Sequence, residues 1–248
     1  RPEAIRYALE KGIIAAGAVE DFAPLLAGAD AVVLGLYPHA LVDWLRNNQK
    51  HLKPGALLTD VCGVKSGVVE EIQGFLRPDA EFIASHPMAG KETSGVWNAD
   101  GTLFRGAHFI ITPRPDSDPA HVALMGRMAD YLGCRDVVNT TPEEHDAIIA
   151  YTSQVMHVMA VAVCDDPDLF QCRGFEGGSF RDCTRVAALD VPLWTELFSM
   201  NAPALTRVIR NLEDNLRAYR EAIEAGDTRR LSEKLRYSAD RKRRMNLE

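Results

Sequence analysis

Cysteine is scarce and irregularly spaced in this chain of 248 residues. The five cysteines are an odd number, and no Cys-x-x-Cys pair occurs among them. Structural zinc sites are built from such close pairs, so the sequence predicts no metal site. The spacing favours reduced, mostly buried thiols in a cytoplasmic protein.

A surplus of basic charge is also lacking. The net charge of −7 and a pI of about 5.5 argue against a nucleic-acid partner. We find no apolar run that approaches the roughly 20 residues of a bilayer span and no signal-peptide pattern after Arg1, so no membrane partner is expected. An anionic small-molecule substrate would therefore need individual Arg or Lys side chains at its site.

The third absence is a Gly-x-Gly-x-x-Gly turn, which normally opens a dinucleotide-binding domain. The chain instead begins with a helical pattern, where the helix after a second strand would lie. Either a first β–α–β unit lies outside the 248 residues, which alone would then bind NAD weakly and be inactive, or the protein is not a nucleotide enzyme. Both interpretations stay open at this point.

Apolar runs of strand length alternate with helical patterns up to about residue 140. The runs are typical of strands buried on both faces, and the alternation predicts a doubly wound, parallel, Rossmann-like sheet. Thr141-Pro142 with two glutamates then marks a strong helix start, beyond which only helices are predicted. We therefore expect an incomplete dinucleotide-binding α/β domain over 1–140 and a helical domain over 141–248. The predicted strands are 31–36, 56–60, 81–84, 108–113 and 137–138, and the later helices are about 142–163, 192–209, 212–225 and 229–245.

The segment Ser85–Gly95 is predicted to be a catalytic loop. It follows an apolar run, and ligands of open α/β sheets bind outside the carboxyl ends of the strands. His86 is its candidate acid–base group, because the ordinary pKa of histidine lies near neutrality. The alternative is a histidine that only makes hydrogen bonds within a loop.

Two further clusters lie in the helical half. His157 shares a helix face with Ser153 and follows Gln154, which suggests a polar cavity wall or, alternatively, a satisfied core histidine. Arg185 ends a glycine-rich segment that contains Asp182. An arginine fork there suits a carboxylate substrate, and an internal Asp–Arg pair is the alternative.

Residues after two predicted strands are weaker candidates for ligand contacts. Gly63 and Lys65 follow one strand, and Leu36, Tyr37 and Pro38 follow another, at the sheet edge expected to hold His86. A further histidine, His145, is interpreted as an ordinary first-turn helix residue.

Four motifs occur in order along nearly the whole chain. They are Asp60-x-x-Gly-Val-Lys65, His86-Pro-Met-Ala-Gly90 with Glu92 and Ser94-Gly95, His157, and Gly178-x-Phe-x-Asp182-x-Thr-Arg185. Together they resemble the prephenate and arogenate dehydrogenase family. One departure is Gly63, where many relatives carry Ser, so a water or Ser66 would take its place.

The resemblance implies oxidative decarboxylation of prephenate to 4-hydroxyphenylpyruvate with NAD, in tyrosine biosynthesis. It also implies a nicotinamide-binding domain followed by a helical domain that forms a homodimer. His86 would accept a hydrogen bond from the ring hydroxyl, Arg185 would hold a carboxylate, and His157 would line the same pocket. The further contacts expected are Ser153, Gln154, Glu92 and Asp182 for substrate, and Leu36, Tyr37, Pro38, Gly63 and Lys65 for cofactor.

Three alternatives accompany this reading. Arogenate could replace prephenate as substrate, and NADP could replace NAD, since the residue that selects the cofactor precedes Arg1. The alternative from another functional class is a dimeric binding protein. It would have kept the pocket but would neither bind the cofactor nor catalyse the reaction. Feedback inhibition by tyrosine is plausible by family likeness, although no residue demonstrates it.

Overall fold

A computed structural model describes residues 1–91 and 93–246 of the chain. Over this range, strands and helices alternate in the first part, and helices alone form the remainder, as the sequence predicts. The strands are β1 (Ala31–Leu34), β2 (Ala56–Asp60), β3 (Ala80–Phe82), β4 (Ala84–Pro87), β5 (His108–Thr112) and β6 (Asp136–Asn139).

Many helices of the described residues begin at a proline or at an aspartate cap. The α5 helix, for example, begins at the Asp118 cap and ends at Gly133, whose positive φ of 75° suits glycine. The helices are α1 (Pro2–Glu10), α2 (Ala23–Gly28), α3 (Pro38–Asn48), α4 (Ser66–Gln73), α5 (Pro119–Leu132), α6 (Pro142–Ile149), α7 (Val155–Cys164), α8 (Gly178–Thr184), α9 (Val191–Met200), α10 (Ala202–Glu224) and α11 (Thr228–Met245).

The strands form two three-stranded sheets rather than one parallel sheet. The first has the order β1-β2-β3 and is parallel throughout, while the second has the order β4-β5-β6. The β5–β6 pair is parallel, but β4 runs antiparallel to β5, so the prediction of a wholly parallel sheet is wrong for β4. Only a 3-10 turn, Val96–Asn98, is found among the described residues between β4 and β5, and an antiparallel pair needs no crossover helix.

Adjacent residues of the central strand serve two apolar layers. Leu58 packs with the apolar faces of α3 and α4 and with Leu197 of α9. Leu57 packs on the opposite side with Phe109, Ile111 and Met125 of α5. Because successive strand residues point to opposite faces, the buried strand β2 holds both layers together.

A buried ion pair closes the carboxyl end of β2. The Lys65 ammonium lies 2.5 Å from Asp60 Oδ2, and both side chains are completely buried. The other carboxylate oxygen, Oδ1, accepts the Ser85 backbone N–H at 2.9 Å, and the Ser85 hydroxyl donates to the Asp60 carbonyl at 2.6 Å. These bonds attach β4 to β2 at the residue that precedes His86.

The helical half departs from prediction in two places. The helix that begins at Thr141 has the predicted capping box with Glu144, but Ala150–Gln154 forms a π-helical turn between α6 and α7. A single helix predicted over 192–209 instead ends at Met200, and α10 begins at Ala202. The intervening Asn201 is buried, and its side-chain amide is satisfied by donating to the Asp146 carbonyl and to Gln154 Oε1.

The chain divides into two compact units, Arg1–Asn201 and Ala202–Glu248. Helices α6 to α9 therefore pack in the same unit as the sheets, and the domain boundary near residue 140 stays a prediction. The helical run Pro142–Cys164 is long and apolar enough, by length and composition alone, to cross a membrane. The expectation that no apolar run approaches 20 residues is therefore wrong, although core helices of soluble proteins share these properties.

Replacing Lys65 by Met should destabilise the protein strongly, because the buried Asp60 carboxylate would lose its counter-charge. We expect the free energy of unfolding in urea to fall by about 3–5 kcal/mol. Lys53→Met is the matched control, since the Lys53–Asp30 pair is exposed and its loss should leave the free energy of unfolding nearly unchanged. Equal losses in the two variants would contradict the role given to the buried pair.

Candidate active site

His86 lies within β4 and not in a loop, which corrects the sequence prediction. The strand pairs with β5, so that His86 lies opposite Ile110. Its ring reaches the turn after β2, because a Cβ placed on Gly63 would lie 4.0 Å from His86 Cε1 and 3.6 Å from Leu197. A paired strand holds the imidazole more firmly than a loop would.

A chain of hydrogen bonds extends from His86 into the protein. His86 Nδ1 lies 2.9 Å from His145 Nε2, and His145 Nδ1 lies 2.8 Å from Asp146 Oδ1. The His145 side chain is fully buried. His145 lies in the first turn of α6, as the sequence indicates, but no local pattern indicates its contact with His86, which arises only when α6 packs against α4.

Asp146 joins this chain to the start of α4. Its two carboxylate oxygens accept the backbone N–H groups of Lys65 and Ser66, each at 2.8 Å. Burial alone would raise the pKa of Asp146, but hydrogen bonds from His145, Ser66 and Lys65 lower it below its ordinary value. The carboxylate is thus charged and accepts hydrogen bonds at neutral pH.

The surroundings of His86 favour its neutral form. Burial lowers the pKa of His86 well below its ordinary value, the positive charge of Lys65 adds to this effect, and a protonated His145 would add further. Asp146 opposes the shift. A neutral imidazole at pH 7 can accept a proton from a reacting group.

His157 lies on α7, immediately after the π turn. Its Nδ1–H donates to the Ser153 carbonyl at 3.1 Å, and its ring stacks on Trp194 with centroids 3.6 Å apart. Burial lowers the pKa of His157. Helix α9 contributes both Trp194 and Leu197, and so connects His157 to the surroundings of His86. Sequence reasoning missed Trp194, because nothing in its local pattern indicates a stacking partner.

The predicted substrate contacts have different environments. Arg185 is exposed in the 3-10 turn Arg185–Ala187, which packs against α7, and Asp182 is exposed on α8. Gln154 is buried instead, and its amide donates to the Leu197 carbonyl at 3.2 Å and accepts from Asn201. Its position supports a structural role in place of the predicted substrate contact. Glu92 lies outside the described residues.

The ends of β1 and β2 expose an apolar edge. Leu36 and Tyr37 are each 40% exposed, and Val61 is 41% exposed. A side chain on Gly35 would meet nothing within 4 Å, so the backbone there is open. Exposed apolar side chains at the carboxyl ends of parallel strands fit the ring of a dinucleotide cofactor.

The other predicted cofactor residues have mainly structural contacts. Pro38 is buried at the start of α3, and the Tyr37 hydroxyl donates to Asp190 at 2.8 Å. Lys65 is directed at Asp60 and fully buried, so a contact between its ammonium and a ligand is not supported. Gly63 remains a candidate, because it borders His86.

Two family models match successive parts of the chain. Residues 2–138 match the prephenate dehydrogenase nucleotide-binding domain, and residues 141–237 match the prephenate dehydrogenase dimerization domain. The chain belongs to the prephenate dehydrogenase family. A nucleotide-binding α/β part followed by a helical dimerization part is therefore its family architecture, as predicted from the sequence motifs.

Two curated relatives are each 29% identical to the chain over the aligned residues. The cyclohexadienyl dehydrogenase of Zymomonas mobilis is 29% identical over 84% of this chain and 72% of its own length. The prephenate dehydrogenase of Lactococcus lactis is 29% identical over 87% of this chain, which spans only 60% of that relative.

A solved structure supports the same family. Prephenate dehydrogenase from Aquifex aeolicus, in complex with hydroxyphenyl propionate and NAD+, matches with a TM-score of 0.87 and 28% identity. The match covers 100% of this chain and 87% of that one.

Proposed function

We propose that this chain catalyses the oxidative decarboxylation of prephenate to 4-hydroxyphenylpyruvate with NAD+, a step of tyrosine biosynthesis in the cytoplasm. The observation that carries the proposal is a histidine, His86, held in strand β4 beside an open apolar edge. Membership of the family and the ligands of the Aquifex aeolicus relative support the same reaction.

His86 acts as the base in this proposal. Its neutral imidazole accepts the proton of the substrate's ring hydroxyl, which makes loss of hydride from the same carbon easier. The lowered pKa keeps the imidazole unprotonated at neutral pH. Departure of the ring carboxylate as CO2 then leaves its electron pair in the ring, which becomes aromatic, and the phenolate oxygen takes the proton back from His86. The protein therefore mainly positions the reacting groups.

The apolar edge at the ends of β1 and β2 is the proposed place of the nicotinamide. NAD+, when bound, supplies the hydride acceptor. Leu36 and Val61 offer apolar surface there, and Gly63 leaves space between this edge and His86. Tyr37 and Pro38 shape the same end of β1 through Asp190 and the start of α3.

The helical part is proposed to hold the substrate carboxylates. Arg185 carries a guanidinium fork that binds carboxylate in two hydrogen bonds. Ser153 lies on the π turn and His157 on α7. The Arg185 turn packs against α7. Arogenate is the second candidate substrate, since it differs from prephenate only in the side-chain amine and offers the same hydroxyl and ring carboxylate.

A homodimer is proposed through the helical part. Ile148, Tyr151, Met156 and Val163 are all between 46% and 69% exposed. They lie three, five and seven residues apart, and the five-residue step crosses the π turn, where residues i and i+5 are neighbours. The resulting apolar stripe suits a second copy of the chain, in agreement with the matched dimerization domain.

His86→Asn should abolish most turnover, because Asn cannot accept the proton. We expect kcat for NAD-dependent oxidation of prephenate to fall by about 10²–10⁴-fold, while His51→Asn, in a turn before β2, keeps it. In the parent protein, kcat/KM should begin to fall on acidification only below pH 6.5, the ordinary histidine pKa. The lowered pKa keeps His86 neutral down to a lower pH. An unchanged kcat in His86→Asn would remove His86 from the reaction.

Arg185→Ala should weaken substrate binding far more than it slows the reaction. We expect KM for prephenate to rise by an amount equivalent to about 2–5 kcal/mol. Arg181→Ala is the matched control, since Arg181 is exposed on the neighbouring turn and donates to the Glu176 carbonyl. Equal KM values for the Arg185 variant and the parent would place the carboxylate elsewhere.

Ile148→Asp should disrupt the proposed dimer, because a carboxylate would be buried in the apolar stripe. Sedimentation equilibrium of the parent should give about twice the 27.4 kDa chain mass, and the variant should shift toward one chain mass. Val19→Asp serves as control, because Val19 is 48% exposed outside the stripe. A monomeric parent protein would contradict the dimer.

A further inference from the structure

We propose that His145 and Asp146 are positioning residues that hold His86 in the tautomer with a proton on Nδ1, leaving Nε2 as the acceptor. The inference rests on the proposed function only for its consequence, which is that Nε2 receives the substrate's hydroxyl proton. The tautomer itself follows from the hydrogen-bond chain.

The chain begins at a group that can only accept. Asp146 is held by the backbone N–H groups of Lys65 and Ser66 at the start of α4, each 2.8 Å from a carboxylate oxygen. The positive end of the helix dipole stabilises its charge further. An ionised carboxylate has no proton to donate, so the proton in its 2.8 Å contact with His145 belongs to His145 Nδ1.

The second link transfers this constraint to His86. A neutral imidazole that is protonated on Nδ1 has an unprotonated Nε2, and His145 Nε2 lies 2.9 Å from His86 Nδ1. With His145 neutral, the proton in that contact comes from His86 Nδ1. His86, being neutral, then has an unprotonated Nε2.

Among the described residues, three charged or titratable groups act on the His86 imidazole from the elements packed around it. Lys65 lies after β2, and His145 and Asp146 lie on α6. The Lys65 ammonium is paired with Asp60 Oδ2 at 2.5 Å. The Asp146 carboxylate fixes the proton of His145 on Nδ1. A proton on both nitrogens of His145 would reverse the outcome, since His86 Nδ1 would then accept.

The direct test is nuclear magnetic resonance of protein labelled with 15N-histidine. Long-range 1H–15N correlations identify the protonated nitrogen of each ring, and the signals of His86 are assigned by their loss in His86→Asn. We expect a protonated Nδ1 and an unprotonated Nε2 for His86 in the parent protein. A protonated Nε2 there would overturn the proposal without any variant.

Variants of His145 test whether this residue holds the tautomer of His86. His145→Phe removes the acceptor, so His86 should lose its single tautomer, and kcat should fall on the order of 10-fold with a smaller change in KM. His145→Gln places an amide oxygen near the former Nε2 and should restore both the tautomer and most of kcat. A His145→Phe protein whose His86 keeps the parent tautomer would overturn the proposal.

The two readouts separate this inference from the proposed function. If the parent protein does not oxidise prephenate but its His86 shows the expected tautomer, which His145→Phe abolishes, the function fails and the positioning role stands. If the protein is active and the tautomer is the opposite one, only the positioning role fails. A purely structural effect of His145 would lower the melting temperature and leave the tautomer unchanged.

Discussion

The Asp60 carboxylate is the group on which the geometry of the site depends. One oxygen binds the Lys65 ammonium and the Cys62 N–H, and the other binds the Ser85 N–H. Because the group is completely buried, each of these bonds is needed to offset the cost of removing the charge from water. The same bonds hold β4 against β2 and so fix the position of His86 relative to the carboxyl end of β2.

Asp146 is the corresponding group in the helical part. Its carboxylate caps α4, which belongs to the α/β part, and the same carboxylate orients the His145 ring. Its carbonyl accepts from Asn201, which ends α9. One residue therefore connects the start of α4, the histidine pair and the helix that carries Trp194 and Leu197. Such a shared connection explains why a helix that the sequence marks as separate packs within the same compact unit as the sheets.

Within residues 1–91 and 93–246, no carboxylate makes a hydrogen bond to the His86 ring. Burial and the nearby Lys65 charge lower its pKa, and the polar contact on Nδ1 is another imidazole. Because His86 Nδ1 contacts another imidazole and not a carboxylate, this contact orients the His86 ring without stabilising a positive charge on it. This arrangement suits a base that must be unprotonated before the substrate arrives.

Local sequence patterns determined the alternation of strands and helices, the Thr141 capping box, and the choice of His86, His157 and Arg185, because these signals lie within a few neighbouring residues. The family motifs added the expected chemistry. Only the tertiary structure decided the antiparallel turn of β4, the break at Asn201, the burial of Gln154 and Lys65, and the pairing of His145 with His86. Each of these depends on contacts between residues 22 to 81 positions apart in the chain. Periodicity and propensity carry no information about such distant partners.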